Sequence, residues 1–173
     1  DPMGTRKIGE RGMTKPGLIA IAAVVALSVT APVVAGKSEE ASGVNVYNYE
    51  TDVLDLDEGH SFRLLRLEGV QIEDGSGNLR AIRCYGTSEA FADGSTMSGG
   101  QCVTADPNGD KMFFRWQRDR TKRGEPVAGR YIFTGGTGKW TGLSGGGEYV
   151  YTGLALPPDG KGVSRWRVTR ELP

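Results

Sequence analysis

Beyond Gly36, apolar and polar side chains alternate in short runs instead of recurring every three or four residues, and a period of two predicts strands. The runs are Ser61 to Ile72, Leu79 to Glu89, Ser98 to Ala105, Lys111 to Arg120, Gly129 to Thr134, Glu148 to Leu154 and Val163 to Arg170. Between them lie Asp74-Gly75-Ser76-Gly77-Asn78, Asp93-Gly94-Ser95, Asp106-Pro107-Asn108-Gly109-Asp110 and Pro157-Pro158-Asp159-Gly160, with the residues that reverse a strand. Successive hairpins make an antiparallel meander, and closing it into a barrel removes its edges. Met112, Phe114 and Trp116 alternate with Phe113, Arg115 and Gln117, so both faces carry apolar groups there and the inward one stays open. Lys37 to Asp57 is polar and acidic, with Tyr47 and Tyr49 as its large anchors. Residues 36–57 therefore read as an N-terminal arm, the one candidate for a helix, packed on a barrel domain of residues 58–173.

The apolar run from Leu18 to Val34 follows Arg6, Lys7, Arg11 and Lys15 and ends at Ala35-Gly36, which is the order of a secretory signal. Residues 3–35 are expected to be a signal peptide cleaved near Ala35-Gly36, and Asp1-Pro2 before Met3 reads as a cloning remnant. An uncleaved anchor is the alternative, but Ser28, Thr30 and Pro32 cut the run below the ~20 apolar residues that a span requires. The expected location is secreted or periplasmic, with no stable membrane span after processing. An oxidising compartment favours a Cys84–Cys102 disulfide. A hairpin turn near Ala92-Asp93-Gly94 would put the two on one face of adjacent strands; two buried small hydrophobes are the alternative.

Composition narrows the function classes. A chain of 173 residues has room for one ordinary domain, and its 27 glycines, roughly double the usual ~7% share, imply many tight turns. With 21 basic and 21 acidic residues there is no global field to attract nucleic acid. One histidine and two cysteines do not make a four-ligand zinc site, so no metal is expected. Asp52, Asp55, Asp57 and Glu58, and likewise Asp106, Asn108 and Asp110, lack the full calcium ligand set and read as a solvated loop and a hairpin turn.

The most distinctive stretch is Gly135-Gly136-Thr137-Gly138-Lys139-Trp140-Thr141-Gly142-Leu143-Ser144-Gly145-Gly146-Gly147. It is not a phosphate loop, since Phe133 and Trp140 stand where that loop needs Gly and Ser or Thr. Flanked by Tyr131-Ile132-Phe133-Thr134 and Glu148-Tyr149-Val150-Tyr151, it resembles the strand, Gly-Gly-Thr-Gly turn, aromatic, Gly, strand signature of the allene oxide cyclase and dirigent superfamily. The resemblance is sharpest from Tyr131 to Tyr151 and follows strand order over the last two thirds of the chain. It implies an all-β, eight-stranded antiparallel closed barrel of the lipocalin type. It also implies a homo-oligomer, a dimer or trimer, with a largely apolar cavity for a small hydrophobic or phenolic ligand and no cofactor. Members include cyclases, isomerases, steering proteins and binding modules, so the resemblance marks architecture and carries no catalytic residue over.

Chemistry in such a cavity would fall to ionisable side chains whose pKa burial can move. Arg83, Tyr85 and Glu89 share one face of a predicted strand; if that face is interior they form a polar cluster able to hold an oxyanion or move a proton. The alternative is a solvated outer face. Trp116, Arg118, Tyr131, Glu148 and Tyr149 are the candidate ligand-binding residues, although tryptophan in a small barrel also serves as core. The resulting expectation is a cofactor-independent isomerase, cyclase or lyase, with a non-catalytic exported binding or interaction barrel as the alternative.

Overall fold

The computed structural model describes residues 36–122, 125–154 and 160–173, the last two of the middle stretch by backbone alone. The expected signal peptide and residues 157–159 of the last expected turn lie outside them. The strands are β1 (Lys37–Asp57), β2 (His60–Glu73), β3 (Leu79–Ala90), β4 (Thr96–Ala105), β5 (Lys111–Thr121), β6 (Val127–Gly136), β7 (Ser144–Leu154) and β8 (Gly160–Leu172). Each pairs antiparallel with its neighbours in sequence, and β1 pairs with β8 to close the eight-stranded barrel. Among the described residues no helix is long and apolar enough to cross a membrane.

The polar arm expected over residues 36–57 is corrected by β1, a full barrel strand. It runs in register with β2 from Gly43↔Glu73 to Leu54↔Phe62, and with β8 from Lys37↔Leu172 to Tyr49↔Gly160. Its polarity misled because an inward position, Asn45, is a buried amide whose hydrogen bonds are satisfied inside the barrel. Beyond Tyr49 the strand pairs with β2, and Val53, Leu54 and Leu56 are exposed there.

One end of the barrel is filled. The glycine-rich segment ends β6 and turns through a short 3₁₀ helix, Gly138–Trp140, where Gly138 has φ +57° and any side chain would strike the Asp110 carboxylate. The Thr137 N–H donates to the Lys111 carbonyl at 2.8 Å, and the Lys111 N–H donates to Thr137 Oγ1 at 3.0 Å. These bonds deliver Trp140 and Leu143 onto buried Met112. Against this plug lie two buried arginines: Arg80 and Arg170 each donate to Glu73 Oε2 at 2.7 Å. Both guanidiniums also sit over the Trp140 ring, at 5.5 and 5.2 Å from its centroid. Burial works to raise the Glu73 pKa, but the bonds from Arg170 and Arg80 outweigh it and hold the carboxyl below its ordinary range.

Candidate functional site

The strand period decides which side chains reach the interior. On β3, Arg80, Ile82 and Cys84 are buried and the residues between them exposed, so even positions face in. On β5 the inward set is Met112, Phe114, Trp116 and Arg118; on β7 it includes Tyr149 and Tyr151. Cys84 and Cys102 stand directly opposite each other on β3 and β4 and are joined by a disulfide that forms part of the interior wall.

Toward the end away from the Trp140 plug, the interior opens into a cavity of about 280 Å³. That is the lower end of the range for small-molecule sites, the size of a ligand with one or two rings. Five of the chain's six tyrosines, Tyr47, Tyr49, Tyr131, Tyr149 and Tyr151, line it together with Trp116. Tyr131 and Tyr149 stack with centroids 4.5 Å apart, and Tyr47 lies parallel to Tyr151 at 6.2 Å. The rings fit because inward positions beside them are glycine. A Cβ at Gly162 would come within 2.5 Å of Tyr47 and 2.7 Å of Tyr151, and one at Gly86 or Gly100 within 2.7 Å of Trp116. Part of the glycine content therefore makes room for aromatic rings inside the barrel, a role that the sequence reading assigned to tight turns.

A hydrogen-bonded floor separates the cavity from the plug. Asn45 Nδ2 donates to Ser164 Oγ at 3.1 Å and lies 3.2 Å from Tyr131 Oη, while Gln71 Nε2 donates to Asn45 Oδ1 at 3.1 Å. Burial raises the Tyr131 hydroxyl to about 12 despite these bonds, and burial beside Tyr49 raises Tyr151 to about 12. Tyr47 and Tyr149 are pushed up further, again chiefly by burial. All four are neutral hydroxyls at physiological pH. Among the described residues no aspartate, glutamate or histidine lines the cavity; its ionised groups are Arg118 and, at the mouth, Arg63.

The chain matches no protein-family model and no curated protein. Among solved structures it is similar to that of the pterocarpan synthase dirigent protein GePTS1, at 11% identity and a TM-score of 0.49, over 86% of this chain and 99% of that one.

Trp116, Arg118, Tyr131 and Tyr149 all line the cavity. Glu148 does not: it is exposed, beside Arg130 and Arg167 on the neighbouring strands, because its neighbour Tyr149 takes the inward position. The Arg83, Tyr85 and Glu89 face likewise points out of the barrel, which corrects the premise that it is interior. Arg83 Nε meets Glu68 at 2.8 Å, Tyr85 is 56% exposed, and Glu89 lies 2.7 Å from His60. The physical cause is the period of two along β3, whose even positions face in. With Cys84 turned inward, Arg83 and Tyr85 must turn outward. Sequence reasoning missed Arg63, Ser88, Thr96 and Ser98, and it placed Tyr47 and Tyr49 on an arm outside the barrel. The available signal was the paired Tyr-x-Tyr spacing at Tyr47/Tyr49 and Tyr149/Tyr151, which puts each pair on one face of a strand.

Proposed function

We propose that this chain is an exported barrel that binds a small aromatic or phenolic molecule reversibly. The observation that carries this reading is a cavity walled by five tyrosines and Trp116, with no carboxylate or imidazole on its lining among the described residues. Such a wall supplies flat apolar contact and neutral hydroxyl donors. It supplies no group that exchanges a proton near neutral pH, which acid–base turnover requires. The Cys84–Cys102 disulfide supports residence in an oxidising compartment.

Cofactor-independent isomerase, cyclase or lyase activity is the second reading. It is favoured by Arg118 near Tyr149 and Tyr151, donors that would stabilise negative charge developing on a substrate needing no base. Equilibrium dialysis of the chain against a panel of phenols, followed by chiral chromatography of the recovered ligand, separates the two. The binding reading expects saturable one-to-one uptake, ligand returned unchanged, and the same affinity after dialysis against a chelator. Catalytic loss of the ligand or a new stereoisomer would overturn it in favour of the second reading.

A further inference from the structure

We infer that the cavity takes its ligand as an anion: a small aromatic carboxylate, with the carboxylate against a cationic belt on β2 to β5 and the ring against the tyrosines of β1 and β7. The inference rests on the binding function proposed above. The belt follows from register. Arg63 on β2 is opposite Ser88 on β3, Ser88 is opposite Ser98 on β4, and Ser98 is opposite Arg118 on β5. All four line the cavity, so two guanidiniums flank two hydroxyls in a single row of its wall.

Nothing in the described protein neutralises that row. Other inward or rim arginines have carboxylates: Arg80 and Arg170 share Glu73, and Arg120 meets Asp93 at 3.1 Å. Neither Arg63 nor Arg118 makes an ion pair among the described residues. Arg118 is half-buried and donates from Nη2 to Thr96 Oγ1 at 2.6 Å, while its Nε has no hydrogen-bond partner among the described residues. A guanidinium keeps its charge in such a place, and a half-buried cation with no counter-charge is costly until an anion meets it. Burial does press the Arg118 pKa down, the direction expected of a cation short of a counter-charge. A carboxylate suits the planar fork of arginine, and the Ser88 and Ser98 hydroxyls lie along the same wall as further donors. The facing tyrosines are neutral, so they offer ring contact without repelling the anion.

The test compares 4-hydroxyphenylacetate with its neutral amide, 4-hydroxyphenylacetamide, by isothermal titration on the full chain. The acid is expected to bind at least about tenfold more tightly than the amide, about 1.4 kcal/mol. Arg118→Gln should bring the two affinities together, and Arg118→Lys should restore part of the preference for the acid. The wild-type ratio alone decides the matter if Arg118→Gln does not fold. An amide that binds as well as the acid would overturn the anion inference and leave the binding barrel standing. Failure of both probes to bind at millimolar concentration would overturn the binding reading along with it.

Discussion

Gly162 shows how one missing side chain shapes the site, since the space its Cβ would fill is taken by the rings of Tyr47 and Tyr151. The tyrosines held this way are also the residues through which the barrel senses alkali. Tyr131 and Tyr151 are raised to about 12, and Tyr47 and Tyr149 are raised more, from an ordinary 10.0. A phenol whose folded pKa exceeds its unfolded one contributes stability that is complete below the unfolded value and is lost as pH rises through the folded one. The barrel is therefore expected to lose stability steeply between about pH 10 and 12, with tyrosinate absorbance from these four residues growing as the fold is lost. Ultraviolet titration followed in parallel with circular dichroism checks this; tyrosinate formation by all of them in an intact fold at pH 10 would contradict it. In the sequence the tyrosines were visible but the glycines were not interpretable, because a turn glycine and a glycine beneath a ring are the same letter.

At the scale of elements, β2 to β8 were legible because alternation and turn chemistry agree there, as between Lys111 and Arg120 with Asp106 to Asp110 before it. β1 was not, since Asn45 reads as polar surface and its buried partners Gln71, Tyr131 and Ser164 lie 26, 86 and 119 residues away along the chain. The same limit applies to the plug: Glu73 and Arg80 flank one expected turn, but nothing local in the sequence joins them to Arg170 on β8. Removing the one carboxylate between two buried guanidiniums leaves them short of counter-charge, so Glu73→Gln is expected to cost about 3–5 kcal/mol. A urea midpoint lowered with an unchanged slope would report that loss; an unchanged midpoint would show that Glu39, 3.6 Å from Arg170, compensates. Acid should mimic the substitution, since a carboxyl held below its ordinary pKa contributes stability above 4.5 that is lost as pH falls through the folded value.

For the whole molecule, closure of the barrel creates two faces with different chemistry, and the function depends on which one meets a ligand. Inside are five tyrosines, Trp116 and the arginine row; outside, Arg83, Tyr85 and Glu68 form an exposed polar ladder on β2 and β3. Exposed ladders of this kind contribute little to stability. Because Tyr85 is the one tyrosine absent from the cavity lining, the tyrosines themselves can report where binding occurs. The most direct test is an NMR titration of the chain, ring-labelled at tyrosine, with 4-hydroxyphenylacetate. The resonances of Tyr47, Tyr49, Tyr149 and Tyr151 are expected to shift together to saturation while that of Tyr85 stays in place. A shift at Tyr85 with the cavity tyrosines unmoved would contradict the account and return the site to the outer face of β3.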